Sequence, residues 1–246
     1  MDGHPVEVFG EWLPGSVINF SEQRPTYLLA AAHAETWRPW MRGLVLARLD
    51  AVRRSAAEAG LASADAAIVV KETPSGHAAD RVMDLLPGSR ALLIVRDPRD
   101  VVDSLMHAFR PGGFMARQSG VAYGDSRRED GLLWAARTWA MSVDVGRRAV
   151  DGQDPSRGRT VRYEDLRYSG KLDELRRKTE RQDRGAIESA IGELSFATLP
   201  ESQVGDLKRN RRATPGAWRE GLSDEEIATV NEIAGDRLER YGYPRS

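Results

Sequence analysis

The chain has 246 residues and no cysteine. That absence excludes disulfides, thiolate zinc sites and cysteine nucleophiles together, and it gives no sign of an oxidising compartment. Lysine is nearly as scarce: of 36 basic residues only Lys71, Lys171, Lys178 and Lys208 are lysines. A single arginine is therefore uninformative, whereas a lysine at a strand end stands out. No run of about 18 apolar residues exists to span a bilayer, and the opening "MDGHPVEVFGEW" lacks the basic region and apolar run of a signal peptide. The cytoplasm is the expected compartment. An excess of one charge sign is also lacking: 36 basic and 37 acidic residues leave a net charge of −1, so nucleic acid is not an expected partner. The four histidines, His4, His33, His77 and His107, have no ligand spacing, so no metal is expected.

Hydrophobic residues make up 41% and charged residues 30% of the chain, a globular composition that fits a single domain over residues 1–246. Three aliphatic runs end in polar, chemically capable residues: "AAIVVKETP", "ALLIVRDPRD" and "RTVRYEDL". Such runs suit strands of a parallel sheet buried on both faces. Helical periodicity lies between them. "MRGLVLARLDAVRRSAAEAG" stops at Gly60, a candidate C-terminal cap, and "EDGLLWAARTWAMSVDVGRRAV" lines up Leu132, Leu133, Ala136, Trp139 and Val143. Alternation of this kind predicts an α/β fold with helices covering the sheet. The segment "RPGGFMARQSGVAYGDSRRED" is glycine-rich and aperiodic and reads as a surface loop or lid. Ser223, three residues before Glu226, opens a helix with a capping box that runs almost to the C-terminus.

The stretch "ALLIVRDPRDVVDSL" packs two arginines and two aspartates against the end of a strand. Ala91 to Val95 is the strand, and Arg96 stands at its carboxyl end, where open α/β sheets place their ligands. Asp97 and Pro98 read as the N-cap and first position of a helix. Val101, Val102, Leu105, Met106 and Phe109 form its apolar face, and Ser104 lies off that face, two turns in. A guanidinium and a hydroxyl could converge there on one anion; local ion pairs among Arg96, Asp97, Arg99 and Asp100 are the alternative.

A second cluster, "KRNRRATPGAWREGL", places Arg211 and Arg212 before Ala213 and Trp218. Taken in order, "KETP", "RDPRDVVDS", "VRYEDL" and "RRATPGAWR" make the chain resemble the bacterial branch of the sulfotransferases that use 3′-phosphoadenosine 5′-phosphosulfate (PAPS), over residues from about 5 to the end. The resemblance implies a three-layer P-loop-like α/β fold, a central parallel sheet flanked by helices. It implies that Arg96 and Ser104 grip the 3′-phosphate, that Tyr163 contacts adenine with Phe196 as an aromatic platform, and that Arg211, Arg212 and Ala213 close over the phosphate. Ala213 stands where the family has glycine. Lys71 matches the family lysine near the transferred group. For the base, the bacterial pattern points to Glu11, with Glu7 close behind, and His77 is a second candidate.

The family's first strand and phosphosulfate-binding loop have no counterpart in the sequence. A start codon assigned too late is the expected explanation, and an uncovered apolar sheet face is the expected consequence. The function implied is transfer of a sulfuryl group from PAPS to a hydroxyl or amine of a carbohydrate, glycolipid or small molecule. The alternative is a catalytically inactive protein that binds 3′-phosphoadenosine nucleotides as a sensor or regulatory subunit. Trp37 and Trp40, three residues apart, are candidates for lining an acceptor pocket or for core packing. A homodimer is compatible with this reading.

Overall fold

The computed structural model describes residues 7–10, 34–60, 68–71, 83–152, 154–168 and 214–245. In chain order these form β1 (Glu7–Gly10), α1 (Ala34–Glu58), β2 (Ile68–Lys71), β3 (Ala91–Val95), α2 (Pro98–Ala108), α3 (Phe114–Ser119), a 3₁₀ turn (Asp125–Arg127), α4 (Arg128–Asp151), β4 (Gly158–Arg162), α5 (Tyr163–Tyr168), α6 (Trp218–Gly221), α7 (Asp224–Ala234) and α8 (Asp236–Arg240). The result is a mixed α/β chain, mostly helical. Its described strands form two two-stranded sheets, β1 with β2 and β3 with β4. The first is parallel, with Glu7 opposite Ile68 and Gly10 opposite Lys71.

The chain divides into two compact units, Met1–Leu93 with Asp144–Thr160, and Ile94–Val143 with Val161–Ser246. In the first, α1 buries Trp37, Val45, Val52 and Ala56, a spacing of seven or eight and then four residues that keeps one face inward. Gly60 takes a left-handed φ of 69° just past the end of α1, as its place in the sequence predicts. Arg157 braces the turn before β3, donating from Nε to Ser89 O (3.1 Å) and from Nη2 to Met83 O (2.9 Å). The two indoles of α1 differ: Trp37 is 7% exposed and Trp40 81%. Trp37 is therefore core, and the two do not act as one aromatic wall. In β3 itself Leu92 and Ile94 are exposed.

The second unit has its core where α2, α4, α6 and α7 meet, around Val102, Met106, Leu132, Ala136, Trp218 and Val230. The apolar face predicted for α2 is the face that packs here. The segment of residues 110–130 is not the aperiodic loop its glycines suggest. It contains α3 and the 3₁₀ turn before α4 begins at Arg128. The glycines punctuate it: Gly112 and Gly120 have φ of 78° and 73°, and Gly113 caps α3. The Tyr123 N–H then donates to Phe109 O at 2.8 Å, and the Tyr123 ring joins Phe109 and Trp134 in an aromatic cluster with centroids 5.0–6.0 Å apart. The C-terminal helix has the predicted capping box at Ser223 and Glu226. It breaks at Gly235, whose φ of 54° separates α7 from α8.

Candidate functional site

The end of β3 is held from several sides within the second unit. The Trp139 indole N–H from α4 donates to Arg96 O at 3.0 Å. The Tyr243 hydroxyl lies 3.1 Å from Val95 O and 2.7 Å from Glu164 Oε2. The other carboxylate oxygen of Glu164, from α5, accepts the Asp97 N–H at 3.1 Å. Backbone groups leaving the strand thus find side-chain partners instead of water, which fixes the path of the chain at Arg96. Burial, and then the hydrogen bond to Glu164, push the Tyr243 phenol well above its ordinary pKa, so Tyr243 is a neutral plug. The sequence reading missed Trp139, Glu164 and Tyr243 in these roles. An aromatic donor and an acid directly after "VRY" were the available signals.

Asp97 caps α2 as predicted, accepting the Arg99 N–H at 2.9 Å, with Pro98 at the first helical position. The same carboxylate binds the Arg99 guanidinium through two bonds, 2.9 Å from Nε and 2.7 Å from Nη2. Arg99 is 1% exposed and lies over the Trp218 indole at 4.3 Å. Arg219 lies 4.2 Å from the same ring. Trp218 is therefore gripped by stacked cations as well as by the apolar core.

Asp100, one turn into α2, is also buried. Its Oδ2 accepts the Gly216 N–H at 2.9 Å and its Oδ1 the Trp218 N–H at 3.3 Å. Burial raises the pKa of this carboxyl above its ordinary value, against the lowering effect of the Gly216 N–H and of Arg96. Asp103, a further turn along the same side, is packed so closely against Gly221 that a Cβ there would run into its Oδ1. The Asp100 and Asp103 carboxylates therefore face the 214–221 segment, not solvent. Two stretches that are far apart in sequence, "RDPRDVVD" and "TPGAWREG", form one structural piece.

Arg96 is the exception among these charges. Its side chain is 25% exposed, its contact with Asp100 Oδ2 is a loose 3.8 Å, and its Nε is buried with no hydrogen-bond partner among the described residues. The guanidinium lies over the Tyr163 ring at 5.0 Å. Ser104 is exposed on α2, four residues beyond Asp100 and so on the same side of the helix. The structure thus groups Arg96 and Tyr163 and places Ser104 on the side of α2 that Asp100 marks. Fixed positive charge, one unpartnered donor, a ring face and the N-terminal end of an eleven-residue helix together suit an anion attached to a planar base.

The other expected site residues are placed less fully. Lys71 is the last residue of β2, opposite Gly10 at the end of β1, and Glu7 begins β1. Glu11, His77, Phe196, Arg211, Arg212 and Ala213 lie outside the described residues. Among the described residues no group of three or more His, Cys, Asp or Glu side chains could hold a metal ion, and no helix is long and apolar enough to cross a membrane. No protein-family model matches the chain, and no curated protein matches it.

Proposed function

We propose that the chain is a PAPS-dependent sulfotransferase of three-layer P-loop-like architecture, and that the end of β3 with the start of α2 is its 3′-phosphate site. The observation that supports this best is Arg96. It is a guanidinium held on a rigid strand end, with a buried Nε that no described group satisfies and only a 3.8 Å contact to its nearest acid. Buried polar groups in folded proteins are almost always paired. Arg147 and Arg162 also have a buried Nε without a partner among the described residues, and what sets Arg96 apart is its place between the end of β3 and the N-terminus of α2, where an anion would supply the acceptor.

In this reading Arg96 and Ser104 hold the 3′-phosphate by charge-assisted hydrogen bonds, and the Tyr163 ring contacts the adenine. Bound there, PAPS supplies the sulfuryl group. The catalytic groups are Lys71 and Glu11. Gly10 and Lys71 end their parallel strands opposite one another, and Glu11 follows Gly10 directly in the chain. Lys71 offsets the charge that develops on the leaving oxygen, and Glu11 takes the proton from the acceptor hydroxyl or amine, with His77 as the alternative base. The acceptor is a carbohydrate, a glycolipid or a small molecule.

Calorimetric titration with 3′-phosphoadenosine 5′-phosphate, the desulfated product, against AMP tests the reading. A marked preference for the 3′-phosphorylated nucleotide is expected, and equal or absent binding of the two by the folded chain would overturn it. An acceptor screen with PAPS then separates the transferase from a nucleotide-binding protein without activity.

A further inference from the structure

We propose that Asp100 is a positioning residue that links anion binding at Arg96 to docking of the Gly216–Trp218 turn, so that each favours the other. The proposal rests on Arg96 being the anion-binding group. Its basis is the way one buried carboxylate is shared. Asp100, with a side chain 1% exposed, has Gly216 N at 2.9 Å and Trp218 N at 3.3 Å on the loop side. On the strand side it has Arg96 Nη2 at 3.8 Å.

A buried carboxylate must be stabilised by nearby donors and cations, because water is not available to it. Here only two kinds of partner face it among the described residues, the turn's N–H groups and Arg96. An anion on Arg96 draws that guanidinium's charge to itself and adds a negative charge near Asp100. The carboxylate then depends more heavily on the two N–H groups. Undocking the turn in that state would leave a bare buried carboxylate beside a bound anion, whereas undocking it without the anion leaves Arg96 to compensate. The turn is therefore held more tightly when the anion is bound, and by reciprocity the anion is held more tightly when the turn is docked.

The sign of one substitution decides the question. By Coulomb's law alone, removing a negative charge next to an anion site should tighten anion binding. The linkage predicts the reverse for Asp100→Asn, because a neutral amide can accept only through its single oxygen and cannot hold both N–H groups. The experiment compares the ratio of AMP to 3′-phosphoadenosine 5′-phosphate dissociation constants in the wild-type chain and in D100N. A purely structural defect would weaken both nucleotides together and leave the ratio alone. The expected result is a fall in the ratio of about tenfold, within the usual range of coupling between sites.

An unchanged or increased ratio in D100N, with a clear 3′-phosphate preference in the wild type, overturns the linkage and leaves the function standing. Absence of the preference in the wild type overturns both. Should D100N not fold, hydrogen exchange on the wild type decides instead. Amides of residues 214–222 exchange more slowly with 3′-phosphoadenosine 5′-phosphate than with AMP if the linkage is right, and equally if it is wrong.

Discussion

Arg96 and Arg99 are the same residue type three positions apart, and the fold uses them in opposite ways. Arg99 fills its fork on Asp97 through two short bonds and lies over Trp218. Arg128, further along, does the same with Glu226, at 2.7 and 3.0 Å. Among the described residues Arg96 has neither a bidentate acid nor a partner for its Nε. A guanidinium with its donors satisfied inside the fold has nothing left for a ligand and serves as scaffold, while one with donors left over is available for recognition. A run such as "RDPRD" thus contains one arginine whose fork is filled inside the fold and one whose Nε is left over.

The largest effect expected from this contrast is on stability. Arg99→Ala would strand the buried Asp97 carboxylate and remove the stack on Trp218, at a cost of about 3–5 kcal/mol, the range for breaking a buried ion pair. Arg96→Ala removes only a loose contact and should cost about 1 kcal/mol, while abolishing the preference for a 3′-phosphate. Urea unfolding of both variants, with nucleotide titration of R96A, checks the pair. Comparable destabilisation in the two would mean that Arg96 is scaffold as well, and the division would collapse.

A smaller effect probes the clamp between α2 and the C-terminal segment. Gly221 has no left-handed φ to explain it; it is constrained because Asp103 occupies the space a side chain would need. Gly221→Ala should destabilise by about 1–3 kcal/mol, the usual cost of overpacking. A neutral result in urea unfolding would show that Asp103 moves aside easily and that the clamp rests on Asp100 and Arg99.

Local features of this region were legible in the sequence because they are made by residues close together. The β3 run, the Asp97–Pro98 helix start, the apolar face of α2, and the Ser223–Glu226 box all depend on contacts within a few positions, which periodicity and capping chemistry report. What was not legible depends on distant partners. Asp100 and Gly216 are 116 positions apart, and Tyr243 and Val95 are 148 apart; nothing in local spacing shows which carboxylate meets which backbone N–H. Hence "RDPRDVVD" reads equally as surface ion pairs or as a ligand site until its acids are seen to hold "TPGAWREG". The glycine-rich stretch of residues 110–130 fails for a related reason. Its glycines mark sharp corners around α3, and composition does not distinguish corners from a loop without regular structure.

The smallest effect expected, and the one that sharpens the contrast most, is on the pH dependence of stability. Two carboxylates of the second unit are shifted in opposite directions. Burial raises the pKa of Asp100, since two N–H groups and a distant guanidinium do not offset it. Burial also acts to raise that of Glu226, but its hydrogen bonds to Arg128 and the Ser223 N–H outweigh this and leave it below its ordinary value. A raised folded-state pKa means that the native chain holds the proton more readily than the unfolded one. Asp100 therefore contributes a stability that is present below the ordinary value of 3.8 and lost as pH rises through the raised one. Glu226 contributes a stability that is present above the ordinary 4.5 and lost as pH falls through the lowered one. Replacing Glu226 by Gln should flatten the loss of stability in acid, and replacing Asp100 by Asn should steepen it. Unfolding free energies from urea curves between about pH 6 and pH 3, the span over which carboxyl groups titrate, would show the two slopes changing in opposite directions. Slopes that change in the same direction would mean that Arg96 satisfies Asp100 as fully as Arg128 satisfies Glu226, and that the guanidinium at the end of β3 is not open at all.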